Sequence, residues 1–280
     1  MKRAQTVPVL MYHHVSPVEG MINVSPSNFE RQLQWLKQRG YKSLTSAEFA
    51  GHLQGTPVPA RSVLITFDDG YLDNWVYAYP LLRQYGYTAM VFLVTSWIND
   101  GPVRHHLGQG QLPQTPAHRE CEDRIAQGRS DEVILRWSEI QAAQADGTLE
   151  FHSHTHTHTR WDLSDRAAEK NALMAQELDL SRAALQANLG HVSEHFCWPQ
   201  GYVDADYVRI AQAAGFRYLY TTQAFGQNRP GTDPAHIYRF AVRNTSGYSV
   251  GRRIQVAAHP LIGPLFNRWK LWKRARRRKP

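Results

Sequence analysis

Cysteine is almost missing from this chain: two in 280 residues, Cys121 and Cys197. A single pair cannot build the disulfide framework on which small secreted folds rely. No stretch is long and apolar enough to span a bilayer, and no internal repeat is visible. The apolar segment at residues 7–12 is short and runs into His13-His14 rather than a small-residue cleavage site, so it does not read as a secretory signal. Together these absences predict a cytoplasmic protein. Acid is absent from one stretch. Residues 268–280 hold Arg268, Lys270, Lys273, Arg274, Arg276, Arg277, Arg278 and Lys279, and no Asp or Glu. Those eight equal the whole net charge of +8, so the body is electrically balanced. That balance argues against a nucleic-acid-binding face on the core.

What the chain does have is core material, 42% of it hydrophobic, arranged in a strand–helix rhythm. Short runs at residues 7–12, 62–67, 89–94, 149–153, 195–198 and 217–222 read as buried strands, the first three of them rich in β-branched residues. Between them Phe29, Leu33 and Leu36 recur at helical spacing before Gly40, and Thr45-Ser46-Ala47-Glu48 has the form of a capping box. A helix through Trp75, Tyr79, Leu82 and Tyr85 is bent or restarted at Pro80. Further helices are expected at 137–145, 164–189 and 205–214. Residues 99–132, poor in apolar periodicity, read as a long surface excursion. The alternation predicts an α/β fold of parallel strands with helices outside, an open sheet or a barrel. In either, functional groups belong at the strand C-terminal ends.

Two strand ends carry chemistry. Asp68-Asp69-Gly70 leaves the strand Leu64-Ile65-Thr66-Phe67, and adjacent side chains on extended backbone point to opposite sides, so the turn must re-aim one of them. One acid can then ligate a metal while the other reaches a bound water; the same residues also serve as ordinary turn and cap chemistry. The tract His152-Ser153-His154-Thr155-His156-Thr157-His158 lines one face with all four histidines if it is extended, and puts only His154 and His158 on one face if it turns helical. Imidazoles suit zinc and related ions, and a His-rich loop also binds metal adventitiously. At two strand ends of one rhythm, the pairs point to a metal-dependent hydrolase.

Thr66-Phe67-Asp68-Asp69-Gly70, His154-Thr155-His156-Thr157-His158 and Trp198-Pro199-Gln200-Gly201 occur in that order. Over residues 7–245 the chain resembles the polysaccharide deacetylases of the NodB-homology type, carbohydrate esterase family 4. The opening Leu10-Met11-Tyr12-His13-His14-Val15 is similar to the branch with poly-N-acetylglucosamine deacetylases. The resemblance implies a distorted (β/α) barrel of about seven parallel strands, spanning residues 1–260, and removal of N-acetyl groups from amino sugars. It implies a divalent ion, zinc or similar, on Asp69, His154 and His158, with Asp68 as base and His156 in support. Such an ion lowers the pKa of water and polarises the amide carbonyl.

Departures from the family pattern matter. Cys197 stands where many members carry an arginine that steadies the base, and Arg239 is the candidate replacement. The late acid motif is not clearly present; His259 is its nearest match by order. His13 and His14, with Pro199 and Gly201, are candidate substrate contacts, the histidines being equally readable as strand-end groups bonded to backbone. The tail at 261–280, with Trp269 and Trp272 among its cations, reads as a basic amphipathic segment for an anionic membrane surface, acting through 265–280. The expectation is thus a cytoplasmic enzyme held peripherally at the inner membrane. Its substrate would be an N-acetylhexosamine carried on a lipid phosphate such as undecaprenyl phosphate. The alternatives are the same fold hydrolysing another amide, or a non-catalytic carbohydrate- or membrane-binding protein.

Overall fold

Short strands buried on both faces, each followed by a covering segment, build the core of the computed structural model, which describes residues 3–277. Seven of them are β1 (Val9–Tyr12), β2 (Ser62–Phe67), β3 (Ala89–Leu93), β4 (Leu149–Ser153), β5 (His195–Cys197), β6 (Tyr218–Tyr220) and β7 (Phe240–Ala241). Their order is β7-β1-β2-β3-β4-β5-β6, every neighbouring pair parallel, with Lys42–Ser43 added as an eighth strand on β2. Ile237 bridges Tyr220 just before the chain enters β7 beside β1, so the sheet curls back on itself. This is the expected distorted (β/α) barrel.

Strand periodicity sorts the core. Val9, Leu64, Met90, Phe92, Cys197, Tyr218, Tyr220 and Ile237 form one buried cluster, the barrel interior. Their alternate neighbours, among them Leu10, Ile65, Phe67, Val91 and Leu93, pack outward against helices. Extending the inward parity past the strand ends selects Thr66 and Asp68 after Leu64, His154 after His152, and Arg239 after Ile237. The interior column therefore rises into polar residues at the C-terminal mouth.

The helices mostly follow the sequence signals. α1 (Pro26–Gln38) starts at a Ser25 cap, and α2 (Ser46–Leu53) at the Thr45–Glu48 capping box. A π-helical turn, Asn74–Ala78, runs into α3 (Tyr79–Tyr85), with Pro80 in the first turn of α3. The stretch at 99–132 is more than a surface excursion. Its Arg104 bonds the fully buried Glu139 of the following helix at 2.7 Å, and its own helix, α4 (His118–Ala126), buries Cys121. α5 (Trp137–Ala145) follows. α6 (Lys170–Leu189) begins six residues later than expected because 3-10 turns occupy Trp161–Leu163 and Ala167–Glu169. α7 (Ala205–Ala213), α8 (Gly247–Ala258) and α9 (Ile262–Arg277) complete the described residues. Arg278 and Lys279 of the basic tail lie outside the described residues. No helix among the described residues is long and apolar enough to cross a membrane.

Candidate metal centre

Asp68 and Asp69 leave β2 on a turn in which Asp69 itself takes a left-handed φ of 75° and Gly70 one of 79°. A Cβ at Gly70 would stand 2.8 Å from the Leu93 side chain, so any other residue there would carry left-handed strain and would have to displace that side chain. Had Asp69 stayed extended it would point away from Asp68; the left-handed turn swings it over the barrel mouth.

The histidine tract reaches the same point without becoming a helix. Thr155 and His158 have φ of 70° and 63°, and the segment bends sharply. Glu177 holds it: buried on α6, this carboxylate accepts from the backbone N–H of His156 at 2.8 Å and of Thr157 at 2.7 Å. The Thr155 hydroxyl accepts from the His158 N–H at 3.0 Å.

Three donors converge. His154 Nε2 lies 3.3 Å and His158 Nε2 3.5 Å from Asp69 Oδ1, and the ligating atoms of the three residues all fall within 4.8 Å of one another. Asp69 Oδ1 is buried without a hydrogen-bond partner, a costly arrangement unless something else binds it. His154 Nδ1 lies 2.7 Å from the Cys197 carbonyl, which assigns its proton there and leaves the Nε2 lone pair facing Asp69. These residues fit a divalent cation. His156 bonds Thr95 Oγ1 at 2.9 Å through Nδ1 and stays outside the cluster. Asp68, His154 and Cys197 also lie close together, but Arg239 already occupies the first and last.

Asp68 is set apart by its partner. Arg239, fully buried, donates to Asp68 from Nη1 at 2.6 Å and from Nη2 at 2.9 Å, and Nη2 stands 2.9 Å from Cys197 Sγ. Its Nε donates to the Thr221 carbonyl at 3.0 Å. The small Cys197 leaves room for this side chain to enter from another strand. Burial would raise the Asp68 pKa, but the Arg239 charge and hydrogen bonds outweigh it and hold the carboxyl below its usual range. Burial likewise opposes ionisation of Asp69, which His154 and His158 overcome. Burial disfavours a charged His154, yet Cys197, Asp69 and Asp68 raise it well above the usual imidazole range. Burial drives His158 down to about 4. A cation would therefore compete with a proton on His154.

A cleft of about 590 Å³ opens over these groups. His13 lines it with Nε2 3.9 Å from Asp68 Oδ2. Three expected contacts stand elsewhere. His14 is buried behind the wall, bonded to Asp73 Oδ2 at 2.6 Å, because its position on the strand end turns it away from the mouth. Pro199 and Gly201 flank the wall, but Gln200 is the member of that turn that lines the cleft. At Gly201 (φ 72°) a Cβ would collide with Thr222 at 2.1 Å, which makes its role conformational. His259 does not line the cleft: it sits on the α8–α9 turn, where Nδ1 accepts from Leu261 and Ile262 N–H at 3.2 Å.

Two further groups shape the site. His118 and Glu122 of α4 form the opposite wall, and His118 Nδ1 meets His14 Nε2 at 3.1 Å. Nothing local in that stretch announces this. Glu177 did leave a signal, a carboxylate on the stripe of α6 that carries the buried Leu173, Met174, Leu178 and Ser181.

The polysaccharide deacetylase family matches residues 55–219 of the chain. Bacillus subtilis YxkH is 38% identical over 113 residues, 40% of this chain and 39% of that protein. A Staphylococcus aureus poly-β-1,6-N-acetyl-D-glucosamine N-deacetylase is 28% identical over 72% of this chain and 61% of its own length. The chain thus matches less than two thirds of the length of either. Among solved structures, IcaB from Ammonifex degensii superposes with a TM-score of 0.71 at 24% identity, covering 90% of this chain and 98% of that one. The Streptococcus pyogenes deacetylase PplD, solved with acetate, gives 0.70 at 20% identity over 90% and 99%. By its fold and by this match over more than half its length, the chain belongs to the polysaccharide deacetylase family, the NodB-homology group.

Proposed function

We propose that this protein is a metal-dependent N-deacetylase of amino sugars. The observation that carries the reading is the convergence of Asp69, His154 and His158 around an otherwise orphaned carboxylate oxygen, beside an Asp68 locked by Arg239. Asp69, His154 and His158 would hold a divalent ion, zinc or similar, which when bound polarises the amide carbonyl and acidifies water. Asp68, kept ionised by Arg239, accepts the proton of the water that attacks the acetyl carbon. His13, lining the cleft 3.9 Å from Asp68, is the group that can hand a proton to the departing nitrogen as the C–N bond breaks. The products are acetate and a free amine. His259, which does not line the cleft, has no part in it.

The named activity of the staphylococcal relative supports an N-acetylglucosamine-type substrate. For this chain a lipid-phosphate-linked N-acetylhexosamine at the cytoplasmic face of the membrane is the favoured form. Its support is α9. Ile262, Leu265, Trp269 and Trp272 fall on one helical face, all about half exposed or more, among Arg268, Lys270, Lys273 and Arg274. Such a helix suits the plane of an anionic interface.

The test is acetate release from soluble N-acetylglucosamine oligomers with measured metal content. Asp68→Asn should keep the metal and lose about 10²–10⁴-fold in turnover. Parallel loss of metal and activity would make Asp68 a ligand and overturn this division of roles between the two acids.

A further inference from the structure

The segment after β6 links the cleft to a second concavity. Thr222 lines the cleft, while Ala224 and Phe225 wall a groove of about 370 Å³ between the end of β7, α8 and α9. Three residue steps separate Thr222 from Phe225, at most about 11 Å of extended chain. That is the scale of a sugar ring with its phosphate.

The groove is lined by apolar and basic side chains. Phe225, Phe240, Val242, Val250 and Phe266 supply the first; Arg243, Arg253 and Lys270 the second, and no acid lines it. The last acidic residue in the sequence is Asp233, and twelve Arg and Lys follow it. The Arg253 guanidinium stands over the rings of Phe266 at 4.7 Å and Phe240 at 4.9 Å. Its Nη2 donates to the Ala224 carbonyl at 3.0 Å, whereas its buried Nη1 has no hydrogen-bond partner among the described residues. A guanidinium fixed by stacking, with one donor edge left over, is suited to a phosphate oxygen. The exposed stripe of α9, lying at an interface, would bring the groove to headgroup depth.

We propose that this groove seats the phosphate and first chain segment of a lipid phosphate, the phosphate on Arg253 and Lys270 and the chain along Phe225, Val250 and Phe266. The inference rests on the lipid-linked reading of the substrate and makes the groove the subsite that orients it, sugar toward the cleft.

Dodecyl phosphate, below its micelle concentration, is the probe, and binding to the full chain is read by calorimetry. One molecule should bind per chain, with inorganic phosphate and dodecanol each at least about tenfold weaker. Arg253→Gln and Val250→Trp should each weaken binding at least about tenfold, and Arg31→Gln on α1 should not. Equal binding of dodecanol, equal binding of inorganic phosphate, or an unaffected Arg253→Gln would overturn the proposal. So would a hexaglutamate peptide that competes as well as the alkyl phosphate, which would mark a protein partner. Should the variants fail to fold, photo-crosslinking of the wild type with a diazirine alkyl phosphate must label residues between 223 and 275, and labelling elsewhere refutes the site. Acetate release from soluble oligomers is followed separately: its absence refutes the deacetylase reading whether or not the probe binds.

Discussion

Replacing Arg239 by Met tests how the base is kept ready. The wild-type side chain is buried, makes two hydrogen bonds to Asp68 at 2.6 and 2.9 Å, and neighbours the Phe92 ring at 5.5 Å. Methionine retains much of the apolar contact and removes the charge. Stranding one member of a buried ion pair costs about 3–5 kcal/mol. Asp68 can avoid that cost by taking up a proton, since burial alone drives its carboxyl upward. The signs are then opposite in the two proteins. In the wild type the folded pKa lies below the ordinary 3.8, so the Asp68 contribution to stability is fully present above about pH 4 and is lost as pH falls through the folded value. In Arg239→Met the folded pKa lies above the unfolded one, so stability should rise as pH falls from neutrality. Activity should follow, with an acid limb absent near pH 6 in the wild type appearing near neutrality in the variant and recovering with added alkali. The assays are kcat/KM against pH on a soluble N-acetylated oligomer and denaturant unfolding at several pH values. Arg239→Lys, which keeps charge and loses the fork, should fall between. A variant that loses activity equally at every pH, with unchanged stability slope, would show that Arg239 does not set the ionisation of Asp68.

Glu177→Gln should lower metal affinity about 10–100-fold in competition with a chelator, since an amide facing the His156 and Thr157 N–H groups cannot accept as the carboxylate does; unchanged affinity would make Glu177 a packing residue only. Trp269 and Trp272, about half exposed, should each contribute about 1 kcal/mol to binding of anionic vesicles. The double Ala variant should therefore float about 30-fold less well in high salt as in low salt, and undiminished flotation would remove α9 as the anchor.

Much of the barrel was legible because its strands are short apolar runs alternating with helical patterns that end in glycine, as at Gly40, Gly147, Gly190 and Gly215, signals that depend on neighbours within a few residues. Asp68 was legible as one of two acids at a strand end, and Arg239 as the stand-in for the arginine that Cys197 replaces; both continue the inward parity of β2 and of the Ile237 segment, so their meeting follows once those strands are placed. The loop from His154 to His158 was not. Helical spacing suggested one face of a turn, whereas the observed bend depends on Glu177, distant in sequence, capturing two backbone N–H groups. The wall at 99–132 was hidden because its order comes from ion pairs such as Arg104–Glu139 and Arg136–Asp131, which leave no apolar period. His259 matches the acid motif only by its order along the chain, and order does not determine which residues face the mouth; His13, at the far end of the sequence, does face it.

The backbone also records where the fold is bent to a purpose. Among the described residues, the non-glycine positions with positive φ are Asp69, Thr155, His158 and Gln200. Three of them line the cleft, and Thr155 lies between the two imidazoles. Each costs of order 1–2 kcal/mol relative to an ordinary conformation. Relaxing Asp69 to extended backbone would return it to the outward parity of Phe67, among apolar helix contacts, with its imidazole partners lost. Relaxing His158 would give up the Thr155 hydroxyl bond and draw its ring from Asp69. The strain is thus held by the same contacts that make the three donors converge. A parallel barrel delivers side chains to its mouth in alternation, and bringing two consecutive acids and two imidazoles to one point requires breaking that alternation at these residues.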